Sequence, residues 1–311
     1  MKPAAIELVE VTKDYGRVRA VDRLSLKVPE GSLFGLIGPN GAGKTTTFGL
    51  LSGFLRPSGG EVRVRGARLT ARRPPVGQVL SLPQDAALPG QRRVLETLVF
   101  LARLGGFGGV EAEQAGRRAL ERVGLAELAD RRIHALSHGQ RRRVGIAQTL
   151  VGRDEVILLD EPTAGLDPRT ALELGALIVE LARERTIVLS SHNLSEVESL
   201  CTHAAILHKG TLVASGTMDE LKGTGQRLEV ELARPLAAPE PSRARLAAIA
   251  GVSAVSLSSD GCSVEVVLAR AELADQVTGE VLRALLEQGA AVKGVERGKR
   301  LEQRFMEETR R

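Results

Sequence analysis

Residues Gly38, Pro39, Asn40, Gly41, Ala42, Gly43, Lys44 and Thr45, followed by Thr46, have the types and spacing of a loop that wraps a polyphosphate. Gly41 and Gly43 let the backbone come close to phosphate oxygens and aim its N–H groups inward. The N-terminus of a following helix adds partial positive charge. Lys44 can reach β- and γ-phosphates, and the Thr45 hydroxyl can ligate Mg²⁺. A second chemical feature is Asp160-Glu161, which ends the apolar run of residues 156–159. Carboxylates at the end of a buried strand stand at the mouth of a parallel sheet, where ligands bind. Asp160 suits Mg²⁺ through its water shell, and Glu161 can face a γ-phosphate and orient an attacking water. The two features together predict a nucleoside triphosphate site.

Such groups act only where elements position them. Residues 32–37 read as a buried strand and 46–51 as the start of a helix, the context a phosphate loop requires. Residues 6–13 and 17–28 alternate apolar and polar side chains around Asp14-Tyr15-Gly16, predicting two antiparallel strands. Residues 61–66 and 76–82 predict further strands. From Arg92 to about Leu150 the period becomes helical, with Val94, Leu95, Leu98, Val99 and Leu101 as one stripe. Strands are expected again at 155–159 and 186–190. Between them 168–183 reads as a helix with Asp167 as N-cap and Pro168 at its first position. Short strands follow at 204–207 and 211–214.

A break falls near residues 222–225. Beyond it come a strand at 227–232, a Pro- and Ala-rich connector at 233–242, and strands at 252–257 and 263–268 around a hairpin-type turn. A helix at 271–287, a strand at 291–296 and a terminal helix at 301–308 complete the chain. The order strand–helix–strand–strand–helix–strand predicts a small ferredoxin-like α+β module. The expected fold class is therefore α/β, with a nucleotide-binding domain at 1–224 and an accessory α+β domain at 225–311.

Composition narrows the functional classes. The 311 residues are 43% hydrophobic and 26% charged, ordinary for a globular protein. Aromatics are 2%, so the core must be built from Leu, Val, Ile and Ala. The net charge of +5 is modest, and a nucleotide-phosphate site or a membrane surface accounts for it as well as nucleic acid does. Cys201 and Cys262 lack metal-ligand spacing, which fits a reducing compartment. Residues 1–7 lack the apolar run of a signal peptide. No stretch approaches the ~18 consecutive apolar residues of a membrane span. Any membrane role is expected to run through a partner chain.

Leu136-Ser137-His138-Gly139-Gln140, ahead of a helix expected from Arg141, closely resembles the signature motif of ABC-transporter ATPases. The family's other motifs fall in order around it. Tyr15 stands at the aromatic that stacks on adenine, Gln84 at the Q-loop, Ala164-Gly-Leu-Asp167 at the D-loop and His192 at the switch histidine. The resemblance implies a P-loop NTPase with a RecA-like core, an antiparallel β subdomain and a helical subdomain at about residues 91–150. Lys44, Glu161 and His192 become the candidate catalytic residues, with ATP as nucleotide. Thr45, Gln84 and Asp160 are the candidate Mg²⁺ ligands. His192 is expected to bond the γ-phosphate or the attacking water. Ser137, with Gly139 and Gln140, is expected to contact a nucleotide held by another subunit's phosphate loop, and Asp167 to lie beside it. Two copies, or one copy and a homologous partner, would then form a two-fold dimer.

His138 departs from the family pattern, which commonly has glycine there. Such a side chain is tolerated if it points away from phosphate. Arg141, Arg142 and Arg143 read as a solvated helix face, and His134, His203 and His208 as structural. An ATPase chain with a further domain ending in Arg304-Phe305-Met-Glu-Glu-Thr309 resembles the ABC-2 type export subfamily. That resemblance implies an integral membrane permease as partner, a peripheral position on the cytoplasmic face of the membrane, and no direct contact with nucleic acid. The alternative is a soluble family member acting on ribosomes or nucleic acid. Such proteins usually carry two cassettes or a long coiled coil, whereas about 90 residues without sustained heptads separate Lys44 from Leu136.

Overall fold

The computed structural model describes residues 3–69, 79–152, 156–223, 227–298, 301–302 and 305–306. Two compact units divide the chain, Met1–Ser215 and Gly216–Arg311. In chain order the first contains β1 (Ala4–Tyr15), β2 (Val18–Pro29), β3 (Leu33–Ile37), α1 (Lys44–Leu51), β4 (Gly59–Val64), β5 (Ala67–Arg68) and β6 (Val79–Leu82). The helices α2 (Val94–Leu104), α3 (Gly109–Arg122) and α4 (His138–Gln148) follow. The chain returns to β7 (Val156–Asp160), α5 (Pro168–Leu181), β8 (Thr186–Ser191), α6 (Leu194–Leu200), β9 (His203–His208) and β10 (Thr211–Thr217).

Two sheets form this unit. One is antiparallel, in the order β2-β1-β4-β5. The other has the order β10-β9-β3-β8-β7-β6. Its strands β9, β3, β8, β7 and β6 run parallel. Every residue of β3, β7 and β8 is buried, which is why these segments are near-continuous apolar runs. Phe34, Leu36, Val156, Leu158 and Val188 join Ile6, Leu8 and Leu24 in one core, so the antiparallel sheet closes one face of the parallel one. Because β6, β7, β8 and β3 are parallel neighbours, their C-terminal ends lie along one edge. Leu82 pairs with Leu159, Asp160 with Ser190, and Ile37 with Ser191.

Several boundaries differ from the expectation. The α1 helix starts at Lys44, two residues before Thr46, because Gly43 supplies its left-handed N-cap. The α4 helix starts at His138 rather than Arg141. Ser137 and Gln140 form a reciprocal capping box there, which satisfies two free N–H groups of the first turn. In α2 the buried stripe includes Thr97 and Ala102. The α5 helix has the expected Asp167 cap and Pro168.

The second unit holds α7 (Met218–Lys222), β11 (Arg227–Leu232), α8 (Pro239–Ala247), β12 (Val252–Leu257), β13 (Ser263–Leu268), α9 (Ala274–Glu287) and β14 (Val292–Arg297). Its antiparallel sheet has the order β12-β13-β11-β14, that of a ferredoxin-like βαββαβ unit. Alternate residues Leu228, Val230, Leu232, Val264 and Val266 face Leu246, Val277, Val281 and Leu285 of the helices. The expected connector at 233–242 is corrected. Its second half begins α8, with proline tolerated in the first helical turn because those N–H groups have no partner there. The expected strand residues 76–78 and half of the expected terminal helix, residues 303–304 and 307–308, lie outside the described residues.

Candidate active site

Four strand ends deliver the phosphate loop, Gln84, Asp160-Glu161 and His192 to the same sheet edge. The loop residues 38–43 leave β3 and turn into α1. Gly43 has φ of 100°, a conformation side chains rarely adopt. A Cβ added there would stand 2.7 Å from Ala20 O. Gly43→Ala is therefore expected to cost about 1–3 kcal/mol from the backbone alone. A lowered melting temperature and weakened nucleotide binding would be seen together by thermal unfolding with and without ATP.

Lys44 is buried, and its ammonium donates to Gly38 O at 2.7 Å and Pro39 O at 3.3 Å. Burial lowers its pKa from the usual lysine value, opposed by the charges of Glu161 and Asp160. Asp160 is 4% exposed. Burial raises its carboxyl above the ordinary range, against the pull of the Ser190 hydroxyl bond and the charges of Lys44 and Arg142. The donor set offered by Thr45, Asp160 and Gln84 is all oxygen, which suits Mg²⁺.

Glu161 is a non-glycine residue at φ 46°. Its N–H donates to Ser190 Oγ at 2.9 Å, and its Oε2 lies 3.0 Å from His192 Nδ1. This carboxylate is largely shielded while the imidazole is mostly exposed. Glu196 joins the two loops from behind. Thr163 Oγ1 donates to its Oε1 at 2.6 Å, and Ser191 Oγ to its Oε2 at 2.7 Å. Ser190 and Ser191 are consecutive in β8, so they face opposite ways, one to the carboxylate pair and one to Glu196. A cleft of about 630 Å³ opens beside these groups, lined by Glu161, Gly165, Leu172, His192 and Glu196.

A family model described as "ABC transporter" matches residues 21–164. The chain is 36% identical over 222 residues to the daunorubicin/doxorubicin resistance ATP-binding protein DrrA of Streptomyces peucetius, covering 71% of this chain and 67% of that one. It is 38% identical over 223 residues to the Nod factor export ATP-binding protein I of Paraburkholderia xenovorans, covering 71% and 73%. A solved structure described as cbiO1 from Clostridium perfringens, part of the ABC transporter complex cbiONQ, superposes with TM-score 0.64. It is 28% identical and covers 71% of this chain and 91% of that one. This chain belongs to the ABC transporter family. It is an ABC ATPase, the ATP-binding and ATP-hydrolysing type of subunit.

The remaining ABC motif residues lie in different surroundings. Tyr15 ends β1 and is 47% exposed, with Lys13 Nζ 5.2 Å from its ring centroid. Gln84 is exposed. Ser137 Oγ accepts from Gln140 N at 3.2 Å, and Gln140 Oε1 accepts from Ser137 N at 2.9 Å. Gly139 packs so tightly on α5 that a Cβ would stand 2.7 Å from Thr170 Cγ2. Asp167 accepts from Thr170 N and Thr170 Oγ1, and these bonds hold its carboxyl below the ordinary range. Among the described residues no hydrogen bond or ion pair joins Ser137, Gly139 or Gln140 to Lys44, Asp160 or Glu161. His138 Nε2 lies 3.8 Å from where a Cβ on Gly165 would be, so its ring leans on the Ala164–Asp167 turn.

The solvated arginine face holds for Arg141, which is exposed, and is corrected for Arg142 and Arg143. Arg142 is half-buried, and its guanidinium donates to Pro162 O at 2.7 Å, Gln84 O at 3.0 Å and Asp160 O at 3.1 Å, and to Glu161 O. Burial lowers its pKa from the usual arginine value, opposed by Asp160, Asp85 and Glu161. Arg143 donates to Val123 O and pairs with Glu173, and Arg141 donates to Leu136 O. Sequence reasoning also passed over Ser190, Ser191 and Glu196. Ser190-Ser191 directly before His192 is the one local signal that could have flagged them.

Proposed function

We propose that this chain energises export through a separate membrane permease, as one half of a head-to-tail ATPase dimer. The carrying observation is the meeting of Lys44, Asp160, Glu161 and His192 at one sheet edge, with Ser137 on a different helix start and, among the described residues, no hydrogen bond to them. In this reading Lys44 holds the β- and γ-phosphates, and Thr45, Asp160 and Gln84 hold Mg²⁺. The metal would neutralise charge developing on the phosphates. Glu161 orients the attacking water, and His192 steadies Glu161 or the γ-phosphate. Tyr15 stacks on adenine. Ser137, Gly139 and Gln140 close over the nucleotide of a second copy or a homologous subunit, with Asp167 at the seam. Residues 1–224 act as the ATPase domain and 225–311 as an accessory domain.

The direction of transport is supported by the Nod factor export protein among the relatives. No helix among the described residues is long and apolar enough to cross a membrane, so a permease would supply the path. A groove of about 400 Å³ lined by Gln84, Asp85, Leu88 and Arg141 is suited to a cytoplasmic segment of that permease. On this reading the protein sits on the cytoplasmic face of the membrane. Affinity capture of the full chain from its own cells should recover one integral membrane protein of several spans. Recovery of ribosomes or nucleic acid in its place would overturn the exporter reading.

A further inference from the structure

Glu161 occupies a left-handed backbone conformation that costs a non-glycine residue roughly 1–2 kcal/mol. A strained turn persists only where its surroundings over-determine it. Here the surroundings can be named. Ser190 Oγ takes the Glu161 N–H, and Ala164 N donates to Glu161 O at 3.2 Å. The Arg142 guanidinium then ties down three consecutive carbonyls, those of Asp160, Glu161 and Pro162. A guanidinium suits this because its donors form a rigid planar fork, which an ammonium cannot copy. Its fourth acceptor is Gln84 O, 58 residues distant in sequence. Arg142 itself rides on α4, the helix that Ser137 caps.

We propose that Arg142 is the positioning residue of Glu161, and that through it the placement of the Glu161 carboxylate depends on where the Gln84 loop and α4 stand. This rests on the reading of Glu161 as the group that orients water. With the fork in place, the carbonyls at 160–162 are fixed and the Glu161 side chain is aimed at His192. When the Gln84 loop or α4 shifts, the fork must give up either Gln84 O or the carbonyls at 160–162. Glu161 then loses its aim without any change at Lys44. Arg142 touches neither nucleotide nor metal in this scheme, so its loss should fall on turnover far more than on ATP binding at Lys44.

The test compares Arg142→Met, which keeps the bulk without the donors, with Arg142→Lys, which offers a point charge. Steady-state ATP hydrolysis is measured on the full chain, with Glu161→Gln as a control and thermal unfolding of every variant. Arg142→Met is expected to lower kcat on the order of 100-fold, the loss that misplacing a reacting group by about 1 Å can produce. KM for ATP should stay within about threefold, the signature of an interaction felt in the transition state rather than in binding. Arg142→Lys should fall between the methionine variant and wild type. In single-turnover assays, Arg142→Met added to Glu161→Gln should cost nothing further, because both act through one carboxylate.

Hydrolysis by Arg142→Met within about threefold of wild type, with Glu161→Gln inactive, would overturn the positioning role. So would matched losses of kcat, nucleotide affinity and melting temperature in Arg142→Lys, which would make Arg142 a general brace. Normal hydrolysis by Glu161→Gln would instead remove the reading of Glu161, and Arg142's role with it. If Arg142→Met does not fold, the lysine variant carries the same comparison.

Discussion

Lys44→Ala is expected to lower ATP hydrolysis by at least about 100-fold, the scale seen when one charge-stabilising donor is removed from a reacting centre. The nucleotide-free fold should tolerate the change, because it deletes a charge whose burial is already unfavourable. ATP affinity measured with a fluorescent analogue should fall as well, since on the proposed reading the ammonium would serve ground state and transition state alike. The substitution should also alter the pH response. Burial holds the Asp160 carboxyl above its ordinary value of 3.8, and Lys44 opposes that shift. An acid with a raised native pKa binds its proton more tightly in the folded chain. Its contribution to stability is present below that window and lost as pH rises through it. In the proposed site Mg²⁺ would need the ionised form, so metal affinity should run the other way and fall as pH drops through the raised pKa. Without Lys44 that loss of Mg²⁺ binding should begin at a higher pH, which calorimetric titration of the metal would show. Turnover near the wild-type rate in Lys44→Ala would refute the phosphate-loop assignment.

Glu161→Gln is expected to separate binding from chemistry. Glutamine keeps the size and one acceptor oxygen, so the contact with His192 and the turn held by Ser190 and Arg142 can survive. On the proposed reading it would lose the carboxylate oxygen that orients the attacking water and can take its proton. General-base loss of this kind costs about 100- to 10,000-fold. ATP and Mg²⁺ should still bind, and on the proposed reading a dimer should accumulate with ATP to a greater extent than in wild type. Light scattering with and without ATP measures this, and unchanged steady-state hydrolysis would sink the assignment of Glu161.

Much of the candidate site was legible because its parts are contiguous in sequence. The loop from Gly38 to Thr45, the strand that ends in Asp160, and the Asp167-Pro168 helix start each announce themselves within a few residues. The ferredoxin-like order was legible for the same reason, since short alternating strands carry their own period. Arg142 was not legible. Its acceptors are backbone carbonyls 18 to 58 residues away, and a carbonyl has no residue type to recognise. Three arginines in a row look like a solvated face until a fold shows which one turns inward. The early start of α4 was missed because a capping serine followed by histidine and glycine does not look helical, although Ser137 and Gln140 had the capping-box spacing. The early start of the helix at Pro239 was hidden by prolines that the first turn accepts.

The strand β8 has one further consequence. Ser190 faces Asp160 and Glu161, while Ser191 faces Glu196. A one-residue slip in a strand exchanges its two faces. A slip here would leave every motif intact in the sequence and still turn the Asp160 hydroxyl partner toward Glu196. The turn between α5 and β8 lies at the far end of that strand, yet its length fixes which serine comes up on which side. The sheet keeps count for the active site, so an insertion or deletion in that turn would be read as a chemical lesion rather than a change of surface.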